Sequence, residues 1–252
     1  MSETILIGID DTDILGSKGT GRMARELADY LIGLELGTSS GVSRHQLLVD
    51  DRIPYTSHNS SLCIGFQSVV PSEALQQPCM DFLNDHFREG SDPGLCICPA
   101  DSVDKRITIW GQDAGTRVLK KSDAVQLAEE CDVFLVELGG TGGGIIGALA
   151  AVGLRAGGQS GRFIDLPGIR DITGIVTVAE LLEKTDVVSV QDGNGQVVGN
   201  EERIESRDWI RPSLVGGQPV VRVKPWVTEA GENVWRLIEK RQKELLQEKG
   251  SS

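Results

Sequence analysis

The stretch Thr4-Ile5-Leu6-Ile7-Gly8-Ile9-Asp10-Asp11-Thr12-Asp13 changes character abruptly, from an apolar run to a cluster of acids. Thr4 to Ile9 reads as a buried strand that ends in a loop. Three carboxylates this close repel one another unless a cation lies among them. Oxygen-only ligands suit magnesium, which takes one or two carboxylates and fills its other positions with phosphate and water. Asp10, Asp11 and Asp13 therefore point to a metal–nucleotide site. The competing reading is a solvated turn in which an aspartate caps the segment that follows.

Working outward, Gly16-Ser17-Lys18-Gly19-Thr20-Gly21 leads into a helix whose apolar positions are Met23, Leu27, Tyr30, Leu31 and Leu34. Bare backbone N–H groups at a helix start can cradle phosphate. Lys18 could neutralise a phosphate oxygen, Lys18, Arg22 or Arg52 could steady developing charge, and Thr20 could cap the helix or accept a phosphoryl group. The spacing is not that of a Walker loop. A second glycine run, Gly139-Gly140-Thr141-Gly142-Gly143-Gly144, also joins a strand (Val133 to Val136) to a helix (Ile145 to Val152). Gly142, Gly143 and Gly144 are candidates for close approach to a nucleotide, or else form a turn before a tightly packed helix.

Between these landmarks strands and helices alternate. Strands are expected at Gln46–Val49, Leu62–Val69 and Leu95–Cys98. Helices are expected from Ser72 to about Phe87, along the Val103, Ile107, Trp110, Ala114 and Val118 stripe, and from Ser122 to Cys131. The expected fold class is α/β, a layered mixed sheet with helices. The pattern changes after about Leu166. Asp192-Gly193-Asn194-Gly195 between two apolar runs signals a hairpin, Pro219–Val223 another strand, and Glu229–Gln247 a charged terminal helix. The expected division is a nucleotide-binding domain over residues 1–168 and a strand-rich segment ending in a helix over 169–252.

The chain has 252 residues, 39% of them hydrophobic, enough to bury a sizeable core. Its five cysteines form no Cys-x-x-Cys pair, so neither a zinc ribbon nor a disulfide framework is expected. His45, His58 and His86 form no metal set. Neither a signal peptide nor a membrane span is evident, which sets the expectation of a cytoplasmic protein. The net charge of −12, with no dense basic stripe, argues against general nucleic-acid or anionic-membrane binding.

Four segments together resemble a known family. Gly8-Ile9-Asp10-Asp11-Thr12-Asp13 with Gly19-Thr20 is similar to the opening of the archaeal tRNA-isoleucine agmatinylcytidine synthetase. Ile53-Pro54-Tyr55 with Asn59, Asp92-Pro93-Gly94, and the run from Gly144 to Gly153 resemble its later motifs in the same order, covering about residues 5 to 155. The resemblance implies a catalytic domain that binds ATP and magnesium, activates a cytidine carbonyl by phosphorylation for displacement by agmatine, and phosphorylates itself on the threonine aligned with Thr20. It also implies that Asp10, Asp11 and Asp13 lie at the active site. The family's downstream OB-fold and zinc-ribbon cysteines have no counterpart here. Gly19 and Gly21 replace a cysteine and a threonine, and Glu137 to Gly142 is not basic as the family's segment is.

The resulting expectation is an ATP- and Mg2+-dependent phosphotransferase or ligase. Asp11, Asp13 and Thr20 would carry the chemistry on a small-molecule or nucleoside-like substrate, with nucleic acid a doubtful partner. The alternatives are a tRNA-modifying enzyme of the synthetase type needing a partner, a non-catalytic nucleotide-binding protein, and an aspartate-nucleophile phosphatase.

Overall fold

A computed structural model describes residues 2–53, 59–206 and 209–238. The chain divides into two compact units, Met1–Pro167 with Leu214–Gln218, and Gly168–Ser213 with Pro219 onward.

In the first unit, β1 (Glu3–Asp10) leads to α1 (Thr20–Gly33), then β2 (Gly37–Gln46) and β3 (Ser60–Ser68). Next come α2 (Ser72–His86), β4 (Gly94–Pro99), α3 (Lys105–Ala114), α4 (Lys121–Glu130), β5 (Phe134–Glu137), α5 (Ile145–Gly157) and β6 (Arg162–Asp165). The strands lie in the order β5-β4-β1-β3-β2-β6, and every neighbouring pair is antiparallel. Alternation along β1 sorts its side chains to two faces. Ile5, Ile7 and Ile9 join Leu27, Leu31, Leu75 and Leu83 under α1 and α2. Leu6 joins Trp110, Leu149 and Val152 under α3 and α5. The result is helices on both faces of a sheet, as the alternating pattern predicts.

Gly8 shows why the α5 side needs small residues. A Cβ there would overlap the Ala148 carbonyl oxygen, so α5 lies directly on the strand backbone. Cys63 and Cys96 are the register partners of Gly8 on either side. Burial pushes Cys63 up to about 12 and Cys96 well above the ordinary thiol range.

Two expectations shift here. The strand expected at Gln46–Val49 ends at Gln46 and runs back to Gly37 instead, a polar stretch that becomes a strand because β3 and β6 pair with it. Neither Ser72 nor Ser122 caps its helix; the flanking cap positions are Pro71 and Lys120.

The second unit contains β7 (Ile175–Thr177), α6 (Val178–Lys184), β8 (Ser189–Gln191), β9 (Arg203–Glu205), β11 (Gln218–Val227) and β12 (Asn233–Leu237). β10 (Ser213–Val215) lies where the chain passes back to the first unit. β11 pairs antiparallel with β12, β12 parallel with β9, and β9 antiparallel with β7, while β8 lies parallel to β11. The parallel pairs are therefore in this unit. Thr177 and Glu180 close a capping box at the head of α6.

The Asp192–Gly195 turn forms, with the Asp192 N–H donating to the Gln196 carbonyl at 2.9 Å, but its second arm makes only an isolated bridge, Gln191 to Val197. The helix expected over Glu229–Gln247 begins instead as a strand. Gly231, with φ of 82°, lets the chain fold back, and the Thr228 N–H donates to the Glu232 carbonyl at 2.9 Å. Val234 and Trp235 then pair with Trp226 and Pro225. The apolar residues 234, 237 and 238 have helical spacing, but pairing with β11 outweighs it. Residues 239–247 of the expected helix lie outside the described residues, as do Pro54, Tyr55 and His58.

Candidate active site

Asp10 closes β1 opposite Gly94 of β4, so the carboxyl end of one strand lies beside the amino end of its antiparallel neighbour. That register brings Asp92 to the acids of the β1–α1 connection. Asp11 has φ of 51°, a left-handed conformation that aspartate tolerates better than most residues. Asp10 shares the α5 face with Leu6 and Gly8, and Gly147 leaves room for its carboxylate, since a Cβ there would collide with Oδ2.

These residues line a cavity of about 300 Å³ in the first unit. Asp10, Asp11, Asp13 and Asp92 form its acidic side. Gly143 and Gly144 come from the head of α5. Leu47, Ala114 and Leu119 give an apolar wall, and Arg52 and Arg117 also reach the lining.

Thr20, the first residue of α1, is buried at the cavity edge. Its Oγ1 donates to Asp13 Oδ1 at 2.5 Å, and its N–H donates to the same oxygen at 3.0 Å. The buried Thr12 donates to Thr20 Oγ1 from its N–H at 3.3 Å and its hydroxyl at 3.2 Å. Thr20 does not cap the helix: Gly19 occupies the cap position without a side-chain bond, and the Asp13 carboxylate takes that role.

The glycine run is shaped around other carboxylates. Thr141 donates to Asp92 from its N–H at 2.6 Å and its hydroxyl at 2.5 Å. Gly140 and Gly142 have φ of 61° and 72°, and a Cβ on either would overlap Asp92 or Glu137 respectively. Lys121 pairs with Glu137 and donates to the Thr141 carbonyl at 2.8 Å.

Burial, reinforced by Asp11, holds the Asp10 carboxyl well above the usual range. Burial raises Asp11 to about 6, with Asp92 and Asp13 adding repulsion. The acids are thus costly to ionise together without a counter-charge. Among the described residues, no group of three or more His, Cys, Asp or Glu side chains is arranged to hold a metal ion unaided.

Of the residues singled out from sequence, Asp10, Asp11, Asp13, Thr20, Arg52, Gly143 and Gly144 come together around the cavity. Lys18, Gly19, Arg22 and Gly142 are not in its lining. Lys18 and Arg22 instead pair with Glu26 on α1, at 3.5 and 2.6 Å. Asp92, Arg117, Thr141 and Gly147 went unassigned in the sequence. For Asp92 a signal existed, since the Asp-Pro-Gly segment just precedes the strand that pairs with β1.

Enzymes acting on tRNA share this fold. One solved structure is a tRNA fluorescent labeling enzyme, at 25% identity over 60% of this chain and 36% of that one, with a TM-score of 0.53. The others are of the isoleucine-tRNA agmatidine synthetase TiaS: its complex with that tRNA and ATP matches at 25% identity with TM-score 0.53, over 60% of this chain and 36% of that one. Its apo form matches at 23% identity with TM-score 0.51, over 60% of this chain and 35% of that one. The chain thus spans about a third of the length of the structures it matches. No protein-family model matches the sequence, and no curated protein matches it either. The resemblance read from the motifs to the catalytic domain of the agmatinylcytidine synthetase is borne out by the fold.

One expectation is overturned. Acidity and the missing basic stretch pointed to a small-molecule or nucleoside-like substrate, with nucleic acid doubtful. The structurally similar synthetase holds tRNA and ATP together. Net charge averages over the whole surface, whereas an RNA contact is local. Among the described residues, no helix is long and apolar enough to cross a membrane.

Proposed function

We propose that this chain is an ATP-dependent, tRNA-modifying enzyme of the ligase type, using Asp13 and Thr20 for phosphoryl transfer. The observation that carries the tRNA and ATP reading is the fold shared with a synthetase solved with its tRNA and ATP, and the phosphothreonine route rests on the 2.5 Å bond from Thr20 Oγ1 to Asp13 inside the acidic cavity. Asp13 is placed to take the hydroxyl proton as Thr20 Oγ1 bonds to the terminal phosphorus of ATP and ADP leaves. Thr12 fixes the orientation of the attacking oxygen by donating to it. Arg52 and Arg117 reach the lining while ion-paired with Asp50 at 2.7 Å and with Asp113, so they would meet phosphate oxygens only by exchanging those partners.

The residues present fit magnesium. The donors are oxygens only and the raised carboxyls favour a cation among them, with water and phosphate to fill the positions that the carboxylates leave. Asp10 and Asp11 would hold it. Bound there, magnesium supplies charge neutralisation for the carboxylates and the phosphates.

The test is incubation of the protein with magnesium and ATP labelled on the terminal phosphate, with and without tRNA. Label on the protein that is lost in Thr20→Ala and discharged by tRNA is the expected result. ATP binding without label in any condition would sink the phosphothreonine route.

A further inference from the structure

The acidic cavity holds a second hydroxyl–carboxylate pair. Thr141, in the loop of residues 139–144 ahead of α5, lines it together with Asp92. The Thr141 N–H donates to Asp92 Oδ1 at 2.6 Å and its hydroxyl to Asp92 Oδ2 at 2.5 Å. The backbone of Asp92 is held as well, since the Gly144 N–H donates to its carbonyl at 3.0 Å. Asp92 thus divides between two oxygens what Asp13 does with one: Oδ1 anchors the loop, and Oδ2 meets the hydroxyl. Both pairs border the acids proposed to hold magnesium, because Asp13 and Asp92 each repel the Asp11 carboxylate.

The two hydroxyls differ in what else they bond. A hydroxyl has one proton to donate and two lone pairs to accept with. Thr20 is buried, and its Oγ1 accepts from both the N–H and the hydroxyl of Thr12. Thr141 is exposed, and among the described residues nothing donates to its Oγ1. Attack on phosphorus uses a lone pair. Thr20 must shed a bond from Thr12 first, whereas Thr141 has its lone pairs free and its proton already on a carboxylate.

We propose that Thr141 is a second phosphoryl acceptor of this cavity, with Asp92 as its base. Thr141 Oγ1 bonds to the terminal phosphorus of ATP, and the bond from that phosphorus to the bridging oxygen breaks. ADP leaves with the electron pair, and the hydroxyl proton passes to Asp92 Oδ2. Lys121, which donates to the Thr141 carbonyl at 2.8 Å while paired with Glu137, places a cation beside the modified residue. The inference rests on the reading that this cavity transfers phosphoryl groups from ATP. It gives a role to a threonine in the stretch that departs from the synthetase family's basic segment.

The experiment incubates the full chain with magnesium and ATP labelled on the terminal phosphate, digests it, and assigns the label to residues by mass spectrometry. ATP binding is measured alongside. Thr20→Ala should lose the label that tRNA discharges and keep the label on Thr141. Thr141→Ala should lose the Thr141 label, and Thr141→Ser, which keeps the hydroxyl, should retain it, which separates loss of the acceptor from a damaged loop. Asp92→Asn still accepts the Thr141 N–H but cannot take the proton, so it should slow labelling of Thr141 by about 10²- to 10⁴-fold. Label confined to Thr20 overturns this inference and spares the proposed function. Label on Thr141 that Asp92→Asn leaves at the wild-type rate overturns the assignment of the base. ATP binding with label on neither threonine overturns this inference together with the Thr20 route, and absence of ATP binding overturns the reading of the cavity as well.

Discussion

Asp13 does two jobs through one oxygen, and they can be separated. As a helix cap it needs only to accept the Thr20 N–H; as a base it must also take a proton. Asn caps about as well as Asp but cannot accept the proton. Asp13→Asn should therefore leave the melting temperature nearly unchanged while slowing phosphoryl transfer by about 10²- to 10⁴-fold; a large fall in both would mean that Asp13 is structural. Asp11 behaves differently. Its carboxyl titrates at about 6 in the folded protein, above the ordinary value of 3.8, so the native state binds protons more tightly than the unfolded chain between those values. Stability should rise as pH falls from about 7 toward about 4 in metal-free protein, and decline as pH rises through about 6. Asp11→Asn should flatten that profile, raise the metal-free melting temperature at neutral pH, and abolish the stabilisation that magnesium is expected to give the wild type. A pH-independent melting temperature in the wild type would contradict the electrostatic account.

At the scale of elements, the helix α5 is the piece on which the site depends. It lies against β1 at Gly8 and against β4 at Gly94, where a Cβ would meet the Gly144 backbone. Against α3 the contact is again backbone to backbone, since a Cβ on Gly153 would overlap the Ile107 carbonyl and one on Gly111 would press on Ala150 and Leu154. Gly153→Ala should cost about 1–3 kcal/mol by overpacking, read by denaturant unfolding. Gly147→Ala should act more on turnover, because it displaces the Asp10 carboxylate.

The strand β1, the helix α1 and the glycine-to-helix turn were legible because each carries its own periodicity and punctuation. β2 was misplaced because Gly37 to Arg44 is polar and becomes a strand only through its partners. β12 read as helix because its apolar spacing is ambiguous over so few residues. The acids Asp10, Asp11 and Asp13 could be seen as one cluster because they are adjacent in sequence. Arg117 could not be added to it, because the tertiary fold brings it to the cavity and no local pattern encodes that, whereas Asp92 carried only the cue of its Asp-Pro-Gly segment ahead of β4.

For the whole molecule, charge would set the manner of the proposed RNA binding. With a net charge of −12 and local cations mostly paired with nearby acids, few phosphates can be neutralised at once. The affinity for tRNA should fall with salt on a log–log slope of about 3 or less in magnitude, corresponding to roughly four phosphates. A slope of about 8 would demand a basic surface that the described residues do not show.

The close seating of α5 on the sheet also decides what reagents can reach. Cys63 and Cys96 flank Gly8 beneath that helix, Cys79 is pushed up to about 12 and Cys98 to about 11, so their thiols stay protonated and covered at neutral pH. Cys131, at the end of α4, is the partly exposed one. A thiol-reactive dye should therefore attach at a single position on the native protein, providing a built-in spectroscopic reporter without any engineered cysteine.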